Sequence, residues 1–285
     1  MIIPVKNGMP YLPRTISSTL RAMPRDSELL VLDDGSTDGT AVFLGGVKDK
    51  RLKVFRNQES AGVAQALNTL LGHATGEHVA RMDADDICLP WRFTAQRRAL
   101  GNSDLLFTGA LFINGQGKPF APKLRGGISA EAMPLHLLLT NPLIHPTMYG
   151  RRDVLEGLGG YRQTPTEDYE LWLRAAASGS RLKLMSRVPG IIYRRHDAQL
   201  SQARAWATED GDTVLSKSFA ALASEKIGYQ GSASTILYNR PMPGQPYPED
   251  PDIAAFALLV HQASEGLAKK DRKGVQDRLR SMYRP

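Results

Sequence analysis

The sequence predicts an α/β protein built on a doubly wound, mainly parallel sheet flanked by helices, with a helical C-terminal extension. Two observations carry that expectation. Short apolar, β-forming runs alternate with helical patterns through the first hundred residues, and acidic residues stand at the ends of two of those runs. Strands alternating with helices give right-handed βαβ units and a parallel sheet. Ligands bind such sheets at the carboxyl ends of their strands.

In chain order, residues 2–5, 28–32, 52–55 and 78–82 read as strands, and residues 11–21, 37–44 and 61–73 as the helices between them. The second strand runs into Asp33-Asp34-Gly35-Ser36-Thr37-Asp38-Gly39-Thr40. Turn chemistry accounts for Gly35 and Ser36, and Ser36 or Thr37 is expected to cap the next helix. It does not require two consecutive Asp at the end of a buried strand. That excess of acid points to recognition of polar donors, such as a base N–H or ribose hydroxyls.

The fourth strand ends in Met82-Asp83-Ala84-Asp85-Asp86-Ile87-Cys88-Leu89-Pro90. Carboxylates crowded at one strand end repel each other unless a positive charge sits among them. A hard divalent cation suits Asp oxygens, and such an ion shares its remaining positions with water and substrate phosphates. Two readings fit this run: a metal–diphosphate site, or an acidic turn at a helix N-terminus.

Residues 101–125 read as a strand and hairpin turning at Asn114-Gly115. A second acidic group, Thr166-Glu167-Asp168-Tyr169-Glu170, opens a helix whose Leu171, Trp172 and following alanines read as buried. Thr166 is the expected cap, and the acids would equally suit the helix dipole. Residues 191–196, Ile-Ile-Tyr-Arg-Arg-His, read as a last strand ending in a basic cluster. His196 there is a candidate metal ligand, and Arg194 and Arg195 are candidates to neutralise phosphate. Beyond about residue 204 the pattern becomes helical. Helices are expected at 208–227, 253–267 and 269–283, with a Gly/Pro/Ser-rich loop at 228–250.

Composition bounds the function. Of the 285 residues, 42% are hydrophobic, enough for a real core, and the longest apolar runs are too short to span a bilayer. The opening Met1-Ile2-Ile3-Pro4-Val5 lacks a basic leader with a long apolar region, and the single Cys88 excludes an internal disulfide. The expectation is a soluble cytoplasmic protein. The net charge of +7 favours polyanionic partners, either nucleotides or an anionic membrane face. No zinc-finger spacing or aromatic–basic RNA motif accompanies that charge, so nucleic acid is not expected. The last helix carries Lys269, Lys270, Arg272, Lys273, Arg278, Arg280 and Arg284 against Asp271 and Asp277, which would suit either lipid contact or a solvated face.

Taken together, these motifs resemble glycosyltransferase family 2, whose fold is the GT-A type. The match runs in order through Ile2–Gly8, Asp33–Thr40, Arg81–Arg92, Asn141–Thr147, Gly159-Gly160-Tyr161, Thr166–Arg174 and Tyr193–His196, with Ser201. Relative to the family this chain begins inside the first strand, and Lys6 replaces a common aromatic. The resemblance covers residues 1 to about 204, with a nucleotide-sugar half to about 100 and an acceptor half after it. The extension 205–285 is not covered.

The resemblance implies roles. Pro4, Val5 and Asp34 would hold the nucleotide base, with Arg81 and Asp83 also at the nucleotide. Asp83 and Asp85 would meet the ribose and a metal-bound diphosphate, and His196 would complete the shell of Mn²⁺ or Mg²⁺. Asp168 would be the catalytic base of an inverting transfer. Glu167, Trp172, His145, Arg194 and Arg195 are candidate contacts to acceptor or phosphate. The implied donor is a nucleoside-diphosphate sugar, with a UDP-sugar favoured. The implied acceptor is a glycan or a lipid-linked precursor, reached by a peripheral contact at the cytoplasmic membrane face, and the implied process is cell-surface polysaccharide synthesis.

Other chemistries fit less well. An Asp-X-Asp phosphotransferase would want an acid after the first strand, where Lys6-Asn7 stands. A nucleotidyltransferase would want a basic glycine-rich loop there. The alternative within the same fold is a nucleotide-sugar-binding module without catalysis.

Overall fold

The computed structural model describes residues 1–120, 126–195, 213–238 and 250–283. They fall into two compact units. The first comprises Met1–Gly127, Leu143–Gln163 and Leu184–Ala203, and the second Ile128–Pro142, Thr164–Lys183 and Arg204–Pro285.

The first unit opens with three parallel strands, β1 (Ile2–Val5), β2 (Leu29–Asp34) and β3 (Leu52–Asn57). Ile2 pairs with Leu30 and Val5 with Asp33; Leu29 pairs with Leu52 and Asp34 with Asn57. All six residues of β2 are buried, as an apolar central strand of a parallel sheet must be, whereas β3 exposes Lys53, Val54 and Arg56 as an edge. Helices α1 (Leu12–Ala22), α2 (Thr40–Gly46) and α3 (Val63–His73) make the crossovers. Leu12 and Ile16 of α1 and Leu67 and Leu70 of α3 are buried at helical spacing. A parallel bridge between Ile2 and Arg81 sets the following strand, β4 (His78–Ala80), beside β1.

Beyond β4 the pairing turns antiparallel. The order is β4, β8 (Tyr149–Arg151), β6 (Leu105–Asn114), β9 (Leu182–Arg195) and β5 (Ile87–Cys88), with β7 (Pro119–Phe120) on β6. A tight turn dictates one of these pairings. Gly117, at φ +80°, donates to Asn114 O and Asn114 donates to Lys118 O, so β7 folds straight back on β6. The parallel strands thus form the amino-terminal half of the α/β core and the antiparallel strands the other. Helix α4 (Arg92–Leu100) packs its wholly buried Arg92 and Gln96 beneath them, and Arg92 donates to Arg81 O at 2.8 Å.

The second unit is helical: α5 (Met133–Leu139), α7 (Glu167–Ala177), α8 (Thr213–Ile227), α9 (Ala233–Tyr238), α10 (Pro251–Ser264) and α11 (Lys269–Met282). The short α6 (Arg152–Gly157) belongs to the first unit. The core of the second unit includes Leu137, Leu138, Trp172, Leu173, Phe219, Leu222, Phe256 and Val260. Phe256 packs its ring 5.9 Å from Phe219 and edge-on to Tyr229 at 5.3 Å. Inside the expected loop at 228–250 the structure has the short helix α9; residues 239–249 lie outside the described set.

Two expected caps differ. Helix α2 starts at Thr40 behind Gly39 with no side-chain cap, because Ser36 and Thr37 are engaged with the turn after β1. Ser36 Oγ accepts from Asn7 N at 2.9 Å and Thr37 N donates to Asn7 Oδ1 at 2.9 Å. Thr166 occupies the N-cap position of α7 without a side-chain cap bond.

Candidate functional site

The carboxyl ends of β1 and β2 are tied into one rim. Asn7 adopts φ +53°, a left-handed turn that Asn tolerates. Its neighbours then reach the loop after β2: Gly8 N donates to Thr40 Oγ1 at 2.9 Å and Met9 N to Asp38 Oδ2 at 3.0 Å. Pro4 is half-buried and Val5 buried on β1 at the base of this rim.

Both Asp33 and Asp34 are buried. Asp33 Oδ1 accepts from Ser36 N at 3.0 Å, and its Oδ2 lies 3.5 Å from Arg56 Nε. Asp34 accepts from four donors: Asn57 Nδ2 at 2.7 Å and Ala61 N at 2.9 Å on Oδ1, Ser60 Oγ at 2.7 Å and Gly62 N at 3.0 Å on Oδ2. Burial alone would raise its pKa, but these four bonds outweigh it and hold the carboxyl below its ordinary range.

At the end of β4 the acids gather. Asp83, Asp85 and Asp86 each present a carboxylate oxygen, and the three oxygens lie within 4.8 Å of one another. Arg81, buried at 4% exposure, donates to Asp83 Oδ1 at 2.6 Å. Asp86 is fully buried. Its Oδ1 accepts from Arg194 N at 2.9 Å, while its Oδ2 has no hydrogen-bond partner among the described residues. Burial, then the neighbouring charges of Asp83 and Asp85, push the Asp86 carboxyl well above its ordinary value. Three carboxylate oxygens so close form a donor set that suits a hard divalent cation.

The loop is fixed from both sides. Thr15 Oγ1 donates to Ala84 O at 2.8 Å and Asp86 O at 2.7 Å. Arg194 donates from Nε to Asp85 O at 3.1 Å and lays its guanidinium 4.4 Å from the Tyr11 ring centroid. Arg195 lies elsewhere, 5.9 Å from the Phe120 ring. His196 lies outside the described residues.

His145 is buried, its Nε2 3.0 Å from Tyr161 Oη. Burial first, and the charge of Arg81 second, hold its pKa well below the usual value, so its ring is neutral. Tyr161 is in turn gripped by Asn68, whose Oδ1 accepts from Tyr161 N and whose Nδ2 donates to Tyr161 O, each at 2.8 Å.

Within the second unit, Asp168 stands in the first turn of α7 with Glu167. Asp168 Oδ2 accepts from Asn141 Nδ2 at 3.1 Å, and Oδ1 from Tyr169 N at 2.6 Å. Trp172 is wholly buried, and so is Glu170, which accepts from Arg174 Nη2 at 2.8 Å and Ser218 Oγ at 2.8 Å. Sequence reasoning gave no role to Asn57, Ser60, Asn68 or Asn141, and counted Asp86 among the crowded carboxylates without a role of its own. Asn141 and Asp86 stood inside recognised motifs; the others carried no local signal.

The model of the family described as Glycosyl transferase family 2 matches residues 1–159. The putative glycosyltransferase EpsE of Bacillus subtilis is 31% identical over 193 residues, 64% of this chain and 67% of EpsE. The glucosyltransferase WfgD of Escherichia coli, named as acting from UDP-Glc on α-D-GlcNAc-diphosphoundecaprenol, is 30% identical over 61% of this chain and 67% of its own length. An uncharacterized glycosyltransferase of Rickettsia conorii is matched over only 30% of its length. Among solved structures, S. aureus TarS 1–349 with UDP-GlcNAc superposes with a TM-score of 0.65 at 19% identity, over 97% of this chain and 86% of that one. A Pyrobaculum calidifontis mannosyltransferase, PcManGT, with GDP-Man and Mn²⁺ gives 0.54 at 20% identity, over 98% and 84%. With more than half its length matched by the family model, the chain belongs to glycosyl transferase family 2, as a glycosyltransferase with the GT-A type of fold.

Proposed function

We propose that the chain transfers a sugar from a nucleoside-diphosphate sugar, a UDP-sugar in the first instance, to a hydroxyl of a glycan or lipid-linked acceptor, with inversion at the anomeric carbon. The observation that carries this reading is the triad Asp83, Asp85 and Asp86 at the end of β4, with Arg81 on Asp83. The ligands and substrates named for TarS, PcManGT and WfgD support the donor class and a lipid-linked acceptor.

In this reading Pro4, Val5 and Asp34 belong to the base-binding end, and Arg81 and Asp83 to the ribose and diphosphate. Asp85 and Asp83 would hold Mn²⁺ or Mg²⁺, with His196 as a further ligand on the strength of the family resemblance. An ion held there would supply positive charge against the charge that develops on the leaving diphosphate. Arg81 orients Asp83 through their ion pair, and Arg194 fixes the backbone of that loop through Asp85 O.

Asp168 is the proposed general base. It takes the proton of the acceptor hydroxyl as that oxygen attacks the anomeric carbon from the face opposite the leaving group, a contribution of about 10²–10⁴-fold. Asn141 orients its carboxylate. No covalent enzyme intermediate is needed, so the configuration inverts. Access to a lipid-linked acceptor would be peripheral, at the cytoplasmic face, and no helix among the described residues is long and apolar enough to cross a membrane.

Asp168→Asn tests the assignment. Transfer should fall by at least about 10²-fold while nucleotide affinity stays within a few-fold. A large loss of nucleotide affinity would remove Asp168 from the role of base. Absence of turnover by the wild type with any donor would favour the non-catalytic module.

A further inference from the structure

Two loops stand at the amino ends of the parallel strands, residues 23–28 ahead of β2 and residues 47–51 ahead of β3. Strands β2 and β3 are each six residues long, so these loops lie roughly 20 Å from the carboxyl ends where Asp33 and Asp34 stand. Between the loops is a hollow of about 460 Å³ lined by Arg25, Lys48, Asp49, Lys50 and Arg51. Ligand pockets are mostly apolar, and a wholly charged lining suits an ion instead.

Arg51 forms the frame of the hollow. It holds Asp49 by two side-chain bonds, Nε to Oδ1 at 3.1 Å and Nη2 to Oδ2 at 2.8 Å. It also covers the carbonyl end of α1, donating to Leu20 O at 2.9 Å and Met23 O at 3.3 Å. The bonds from Arg51 hold the Asp49 carboxyl down to about 2, so the pair stays ionised at neutral pH. The acid of the hollow and the negative end of the helix are thus already matched. Arg25, Lys48 and Lys50 remain. All three are exposed, and among the described residues no hydrogen bond or ion pair engages their side chains.

We propose that this hollow is an anion site, separate from the proposed nucleotide site, and that it takes a phosphoryl group bearing two or more negative charges. Arg51 joins the two loops that carry the cations, so their backbone is already placed when the anion binds. Phosphoryl oxygens accept charge-assisted bonds from Arg and Lys, and a multiply charged group gains from all three. A singly charged carboxylate gains less. At roughly 20 Å the hollow is at least about two Debye lengths from the strand ends at physiological salt, so an anion here does not compete with a nucleotide there.

The test compares the full chain with two variants of equal net charge. One carries Arg25→Gln, Lys48→Gln and Lys50→Gln in the hollow. The other carries Arg97→Gln, Arg98→Gln and Lys217→Gln, three exposed positions elsewhere. Inorganic pyrophosphate is titrated by calorimetry in EDTA, which keeps metal from the acid triad. Binding to phosphatidylcholine vesicles with and without phosphatidylglycerol separates a lipid phosphate from a free one. The hollow variant should bind pyrophosphate at least about ten-fold more weakly than wild type, and the control within about two-fold. If the source is a lipid headgroup, only the hollow variant leaves the anionic vesicles, and pyrophosphate displaces the wild type from them.

Equal weakening in both variants would overturn the proposal, since charge spread over the surface would then account for the binding. A wild type that binds neither pyrophosphate nor anionic vesicles would overturn it too. Loss of UDP affinity with Mn²⁺ in the hollow variant alone would contradict a separate site. Should the triple variant melt early, Lys48→Gln alone repeats the comparison, with a weakening of about three-fold expected.

Discussion

Asn68 lies on α3, 93 residues before the tyrosine it holds, and replacing it tests whether the turn at Gly159–Tyr161 is built as described. Its amide makes two bonds of 2.8 Å to one residue, the backbone N–H and C=O of Tyr161. Gly160, at φ +69°, has no room for a Cβ against Asn68 Oδ1, so the amide is pressed directly against the turn. Asn68→Ala removes both bonds, each worth about 1 kcal/mol, and leaves part-buried backbone groups that water reaches incompletely. The expected cost is about 2–3 kcal/mol. At about 2–4 °C per kcal/mol for a chain of this size, Tm should fall by about 5–10 °C. Urea unfolding of wild type and variant gives the free energy, and an unchanged m-value shows that the same surface is exposed. Asn68→Asp should cost as much, because its second oxygen would face Tyr161 O. A Tm within about 2 °C of wild type in both variants would show that the clamp is not made.

Two further predictions concern charge. Burial alone would raise the Glu28 carboxyl, but hydrogen bonds from Lys53 and Thr75 outweigh it and hold the pKa down to about 2. A depressed carboxyl stabilises the fold above its unfolded pKa. Wild type should thus lose up to about 3 kcal/mol as pH falls from about 4.5 to about 2. Glu28→Gln should lack that loss, and identical acid-unfolding curves would contradict it. In the second unit, Arg174→Ala removes a charge-assisted pair from wholly buried Glu170 and should cost about 3–5 kcal/mol in urea unfolding. A near-wild-type midpoint would show that Glu170 does not depend on Arg174.

What the sequence made legible follows the range of the forces involved. Strand β1 and helices α1 and α3 were readable because their apolar spacing is local. The acids at 33–34 and 83–86 were readable because carboxylates at strand ends demand a physical reason. The antiparallel half was not, since it depends on partners far apart in the chain: Ile87 pairs with Ile192, and Cys88 with Ile191. The caps at Ser36 and Thr166 misled for a related reason. A hydroxyl beside a helix start looks like a cap, yet Ser36 serves Asn7, 29 residues away. The supporting amides were hidden in the same way. Asn57 and Ser60 look like ordinary loop polarity until β2 and β3 align Asp34 with Asn57. Asn68 looks like a polar helix position until Tyr161 arrives beside it. Asp86 stood in the motif itself, but only its burial and its bond to Arg194 N separate it from its neighbours.

The central claim is a metal-dependent nucleotide site at Asp83, Asp85 and Asp86. Calorimetric titration of UDP, dTDP and GDP, each with and without Mn²⁺, on wild type and Asp85→Ala tests it most directly. The account predicts that one nucleotide binds tightly only with the metal, and that Asp85→Ala lowers its affinity to the metal-free level. Affinity that survives either metal removal or the substitution would contradict it.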